Sequence, residues 1–248
     1  MRIQGKKKRF NVKIFLFMIS ICLVLSFFNK SGDARDSVNL GLVGKWGYQG
    51  AVSCVEIIEG SNPYYRYAYC GTEDGLLIID VADPNLPKEE INLGFGKVTT
   101  IRLYEPDYGA NRYAILGVQK NSTLRYVNEV FMETFYGQNG LVILDINDPT
   151  QPVYIGGYHS LEYLRDMAII GNYAYVAEGE NGLMIIDILD PTNPSYVGGY
   201  ATKGEASGIE VAGNYAYVTD DENGLVIIDI SDPIEPVFMG GYDTTTSG

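Results

Sequence analysis

Four times the chain writes a glycine, an unbroken apolar run and an Asp-Pro turn. These are Gly75–Asp80 with Asp83-Pro84, Gly140–Asp145 with Asp148-Pro149, Gly182–Asp187 with Asp190-Pro191, and Gly224–Asp229 with Asp232-Pro233. A run of this length that is apolar at every position suits a strand buried on both faces. Periodicity alone would admit a buried helix segment, but the β-branched content and the turn residues at both ends decide for strand. Gly140 to Gly182 and Gly182 to Gly224 are each 42 residues, and Gly75 to Gly140 is 65, which is one period with 23 residues inserted. A period near 40–45 residues with several short strands per unit is the signature of a β-propeller blade.

The third unit shows the plan most openly. Leu164–Ile170 reads as a first strand, Gly171-Asn172 as a tight turn, Tyr173–Glu178 as a second strand, and Leu183–Ile188 as a third. After the Asp-Pro turn, Ser195–Tyr200 is the fourth. The last unit repeats this as Ile209–Ala212, Tyr215–Thr219, Leu225–Ile230 and Val237–Tyr242. The expected fold is all-β, a propeller of four-stranded antiparallel blades, with units near 49–94, 95–158, 159–200 and 201–242. Leu42–Tyr48 matches the fourth-strand motif ahead of the first unit, and Asp243–Gly248 reads as a loop entering a fifth. Two accounts are open: four blades that close on themselves, or the N-terminal part of a longer propeller.

In these residues the pattern N-Y-A-Y-V…N-G-L-x-I-I-D-I-x-D-P-x-x-P resembles the LVIVD repeat, over about residues 40–248 and four times. The resemblance implies a propeller fold and a secreted or cell-surface setting of the bacterial and archaeal kind. It implies no particular activity. The second unit departs from the pattern by expanding its second-to-third strand connection.

Residues 1–34 differ in kind. Lys6–Arg9 and Lys13 form a basic region, Ile14–Phe28 is a 15-residue apolar segment, and Gly32 and Ala34 take the spacing of a signal-peptidase site. The segment is short for a spanning helix, which needs roughly 20 residues. A cleavable secretory signal is expected, with an uncleaved N-terminal anchor as the alternative. A lipoprotein site at Cys22 fits poorly, because Ile21 stands where a small residue is wanted. Without residues 1–34 the chain keeps 11 of its 18 basic and 30 of its 31 acidic residues, a net charge of −19. Such a surface repels nucleic acid and anionic lipid and suits cations or basic partners. If the first unit keeps the register of the others, Val55 lies opposite Cys70 and Cys54 opposite Gly71. The thiols then point to opposite sheet faces, where no disulfide forms.

Few residues suggest chemistry. Asp80, Asp145, Asp187 and Asp229 recur in every unit and end strands just before turns, as carboxylates that accept backbone N–H groups would. The second-to-third strand turns are acidic. Glu178, Glu180, Asp220 and Asp221 form a candidate site for a hard cation such as Ca²⁺, although no D-x-D-x-D-G calcium loop is present and a solvated acidic face is the plainer account. His159 is the one histidine. With no second histidine, no paired thiols and no G-x-S-x-G elbow, neither a zinc site nor a nucleophilic triad is indicated, and no catalytic residue or cofactor is assigned.

The insertion Lys120–Gln138 breaks the symmetry. It reads as an extended hairpin of Thr123–Val127 and Val130–Phe135, or as a short helix with Leu124, Val127, Phe131 and Phe135 on one face. Either form projects Tyr126, Phe131, Phe135 and Tyr136, the candidate partner-binding residues; folding down over the neighbouring blade or plugging the channel mouth is an equal alternative. Asn121-Ser122-Thr123 is a sequon, meaningful only in a host with glycosylation machinery. The expectation is a non-enzymatic secreted, periplasmic or surface propeller that binds a protein or carbohydrate through its loop face. The alternative is a propeller hydrolase or lyase with a metal-assisted acidic site.

Overall fold

The computed structural model describes residues 51–59, 66–94, 96–106, 111–119 and 138–244. The N-terminal basic and apolar segment, Leu42–Tyr48, insertion residues 120–137 and the last four residues lie outside the described residues. Four four-stranded sheets, each an antiparallel meander in sequence order, follow one another along the chain. Blade 1 holds β1 (Val52–Glu59), β2 (Arg66–Thr72), β3 (Gly75–Asp80) and β4 (Lys88–Gly94). Blade 2 holds β5 (Lys97–Tyr104), β6 (Tyr113–Gln119), β7 (Asn139–Asp145) and β8 (Val153–Ser160). Blade 3 holds β9 (Asp166–Ile170), β10 (Tyr173–Ala177), β11 (Leu183–Asp187) and β12 (Ser195–Tyr200). Blade 4 holds β13 (Ala206–Ala212), β14 (Tyr215–Asp220), β15 (Gly224–Asp229) and β16 (Val237–Tyr242).

The apolar run of each repeat is the third strand, and its alternation serves two interfaces. In β11, Leu183 and Ile185 join a cluster shared with Ala206, Ile209, Val218 and Val226 of blade 4. Met184 and Ile186 join one shared with Ile115, Leu141 and Ile143 of blade 2. Burying one such side chain contributes about 1.5–3 kcal/mol, so successive blades are held together by their third strands. Blades 1 and 2 meet in the same way around Tyr69, Leu76, Ile78, Leu116, Val142 and Leu144. Ala68, Cys70, Leu77 and Ile79 form a smaller cluster on the other face of blade 1.

The glycine that opens each run is required by close approach. A Cβ on Gly75, Gly140, Gly182 or Gly224 would lie 1.8 to 2.5 Å from the carbonyl oxygen of Leu93, Tyr158, Tyr200 or Tyr242 on the fourth strand. Fourth-strand glycines make room for the next blade. A Cβ on Gly156 would meet the Pro191 carbonyl oxygen at 2.4 Å, and one on Gly198 the Pro233 carbonyl oxygen at 2.4 Å. At the matching Gly240 nothing lies within 4 Å. Leu225 and Ile227, at the positions of buried Leu183 and Ile185, are only half-buried, and Met239 and Tyr242 are exposed. The blades are thus propeller-like, packed in order from 1 to 4, and among the described residues the ring is not closed.

The strand-ending aspartates are turn residues. Asp80, Asp145, Asp187 and Asp229 each accept, through Oδ1, the N–H two residues on, at 2.8 to 2.9 Å. Asp83, Asp148, Asp190 and Asp232 do the same at 2.9 to 3.0 Å. These tandem Asx turns carry the chain from third to fourth strand in every blade. The register in blade 1 is the one expected, with Val55 opposite Cys70 and Cys54 opposite Gly71, and both thiols are free. Strand limits differ from the sequence reading by up to three residues. The largest difference is β13, which begins at Ala206 because a bulge at Ser207 lets pairing continue past Ile209.

Candidate functional site

In blades 3 and 4 the antiparallel meander brings the second-to-third strand turn beside the loop entering the same blade, and hydrogen bonds join the two. The residue that closes β2 or β14, or follows β10, decides how. Thr72 accepts the N–H groups of Asp74 and Gly75 at 3.2 and 3.0 Å. Asp220 accepts those of Glu222 and Asn223 at 3.1 and 2.7 Å, and that of Gly204 at 3.0 Å. In blade 3 the position is Glu178, one methylene longer than aspartate. There the backbone closes the turn itself: Asn181 N–H donates to the Glu178 carbonyl at 3.0 Å and Glu178 N–H to the Gly182 carbonyl at 2.8 Å. The Glu178 carboxylate is left to meet the Ser160 hydroxyl and the Asn181 side chain.

Glu178 lies at the floor of a recess of about 420 Å³ between the outer strands of blades 2 and 3. Tyr158, His159, Ser160 and Leu161 of blade 2 and its exit form one wall; Tyr196 and Tyr200 of β12 form the other. Glu178 is 5% exposed. Burial pushes its carboxyl up to about 7; the Asn181 amide works against that and the neighbouring Glu162 adds to it. The Tyr158 hydroxyl is raised too, by burial and then by Glu178 and Tyr196, so these three groups converge. The rim is apolar: Leu161 is 94% exposed and Tyr196 54%. Among the described residues that line the recess, none is lysine or arginine. An acid with a near-neutral pKa at the floor of a concave, mixed-polarity site is the usual mark of a ligand site.

The residues singled out from sequence fall in different places. Glu178 faces the recess, whereas Glu180 is exposed on the turn beyond it. Asp220 is committed to the blade 4 turn. Burial alone would raise its carboxyl, but hydrogen bonds from Thr202, Asn223 and Gly204 outweigh that and hold it below the ordinary carboxylate range. Asp221 accepts the Glu205 N–H at 2.6 Å. Among the described residues no three His, Cys, Asp or Glu side chains come together as a metal-binding group. Tyr126, Phe131, Phe135 and Tyr136 lie outside the described residues, but the point where the insertion rejoins the sheet does not. Asn139 pairs with Ser160 and Gly140 with His159, and Asn139 Nδ2 donates to the Leu161 carbonyl at 3.2 Å. The insertion therefore returns to the sheet at the wall of the recess.

Sequence reasoning passed over Ser160, Asn181, Tyr158, Tyr196 and Tyr200. One signal was available: at the second-strand end where blades 1 and 4 carry Thr72 and Asp220, blade 3 carries the longer Glu178. A second polar cluster near the inner strands was also missed. Arg102 of β5 contacts Glu56 of β1 at 3.5 Å and Asp166 of β9 at 3.0 Å, and Asp166 accepts the Ile209 N–H of β13 at 3.1 Å. It ties all four blades together. The bulge hydroxyls add to this: Ser53 Oγ reaches the Val98 carbonyl and Thr99 Oγ1 the Leu164 carbonyl of the following blade.

Four successive four-stranded antiparallel sheets, one per 42-residue repeat, define a propeller-like repeat protein. The family model of the LVIVD repeat matches residues 64–93, 136–160, 163–202 and 203–244, and the chain belongs to that family. No curated protein matches the chain.

Proposed function

We propose that this protein is a secreted, periplasmic or cell-surface scaffold that binds a protein or carbohydrate partner and performs no chemistry on it. The observation that carries the proposal is the join between the insertion and the recess: the two departures from repeat symmetry meet at Asn139, Ser160 and Leu161. A repeated core is indifferent to partner identity, so recognition belongs where the repetition fails. The exposed Leu161 and Tyr196 supply an apolar rim, and the insertion that rejoins the sheet there is rich in aromatic residues. The N-terminal segment of 1–34 supports export or anchorage. Acidity supports a basic or neutral partner over nucleic acid.

A second reading, a hydrolase or lyase, draws on Glu178, whose carboxyl near 7 suits general acid–base work beside His159. Ca²⁺ bound at the acidic turns would be its cofactor, and unchanged calcium affinity in an Asp220→Asn, Asp221→Asn protein would remove that cation. The test of the scaffold is to replace 120–138 in the full chain by a turn of the length found in blade 3. Adsorption of the purified protein to the surface fraction of its source cells should be lost. Undiminished adsorption contradicts the proposal.

A further inference from the structure

We propose that the recess between blades 2 and 3 is a subsite for an alkylammonium cation, held against the Glu178 carboxylate among Tyr158, Tyr196 and Tyr200. This rests on the recess being the partner site and names the chemistry it takes. Among the described residues Glu178 is buried with only neutral hydrogen-bond partners, the Ser160 hydroxyl and the Asn181 amide. A buried carboxylate without a counter-charge is costly, and its ordinary remedies are protonation or a cation. Among the described residues lining the recess no lysine or arginine supplies that charge. Three tyrosines line the same space, and tyrosine faces attract cations, most strongly where both are desolvated. About 420 Å³ is ample for a trimethylammonium group or the end of a lysine side chain.

Long-range charge acts in the same direction. The whole chain carries −13, so cations are drawn to it and anions turned away. Glu162, which raises the Glu178 carboxyl, also favours a positive guest. The remaining groups facing Glu178 are neutral or weakly basic: Ser160, Asn181 and Tyr158, with His159 on the same wall. His159 lines the same recess, so its effect is separated from that of Glu178 by substitution. A neutral ligand such as a sugar would leave the carboxylate uncompensated and would bind better when Glu178 is protonated. The two ligand classes therefore have opposite pH dependence.

The probes are choline, its neutral isostere 3,3-dimethylbutan-1-ol, and N-acetyl-lysine methylamide, titrated calorimetrically into the full chain at constant ionic strength. Choline and the lysine derivative separate a small-molecule source from a protein side chain. With Glu178 at about 7, a cation that needs the carboxylate binds about tenfold more weakly at pH 6 than at pH 8. That dependence should persist in His159→Gln. Glu178→Gln should lose at least tenfold in affinity, and Tyr196→Ala, which alters an exposed outer-strand residue, several-fold. The inference is overturned if the isostere binds as well as choline, if affinity is flat or rises toward pH 6, or if Glu178→Gln or a folded Tyr196→Ala binds unchanged. Failure here with surface adsorption still dependent on 120–138 leaves the scaffold standing. Ammonium binding with adsorption indifferent to 120–138 does the reverse.

Discussion

Replacing Glu178 by Gln should stabilise the unliganded protein at alkaline pH and leave it unchanged in acid. In the unfolded chain the carboxyl titrates near its ordinary 4.5, and in the fold burial pushes it up to about 7. Between those values the folded state keeps a proton that the unfolded state has released, so stability falls as pH rises from 4.5 through 7 and levels off above. The gap corresponds to at most about 3 kcal/mol. Glutamine keeps the size of the side chain and its contacts with Ser160 and Asn181, and carries no charge at any pH. At pH 8 the variant should therefore melt higher, by roughly 6 to 12 °C at the upper limit, given about 2–4 °C per kcal/mol for a chain of this size. At pH 4 the two proteins should melt together. The assay is a thermal melt by circular dichroism at half-unit pH steps, repeated in a His159→Gln background because His159 lines the same recess. A melting difference that does not change with pH, or a variant less stable at pH 8, refutes the assignment of Glu178 as a buried acid without a counter-charge.

Three further outcomes follow from the structure. Asp166→Ala leaves Arg102 only its longer contact with Glu56 and leaves the Ile209 N–H without its acceptor, and should cost about 1–3 kcal/mol in urea unfolding; an effect below 0.5 kcal/mol, on the order of a neutral surface change, contradicts the tie between blades. Asp187→Ala with Asp190→Ala removes two turn acceptors from one blade and should lower the midpoint of urea unfolding; an Asn pair at the same positions should restore most of it. Burial raises Cys54 to about 11 and Cys70 to about 12. In a Cys22→Ser chain, iodoacetamide at pH 8 should label the native protein about a hundredfold more slowly than the unfolded one, as the thiolate fraction dictates. Comparable rates would show that the blade 1 face opens in solution.

The fold was legible because repetition writes it four times. Gly182–Asp187 alone could have been a helix segment, but four copies with turns at both ends could be only a third strand. The Asx role of Asp187 and Asp190 followed from residue type and position. The cysteine register followed from the other blades, since pairing with period 2 leaves no intermediate choice. The recess was not legible, because its walls come from Tyr158 and Tyr196, residues 38 positions apart on different blades. Nor could burial be read from Glu178, which looks like its acidic neighbours in the sequence. Only packing separates it from exposed Glu180 and from Asp220, whose shorter side chain caps its own turn. Arg102, Glu56 and Asp166 were invisible for the same reason, each standing on a different blade.

The central claim is that partners meet this protein where the insertion joins the recess, and site-specific photo-cross-linking tests it most directly. A benzophenone side chain at position 161 stands on the rim, where Leu161 is 94% exposed. One at position 86 serves as the control, since Leu86 is 75% exposed and lies in the Asp-Pro turn of blade 1, on the opposite loop face. On intact source cells, irradiation should give a discrete adduct from position 161 that free choline diminishes, and none from position 86. Equal adducts from both positions, or an adduct from position 86 alone, would contradict the claim.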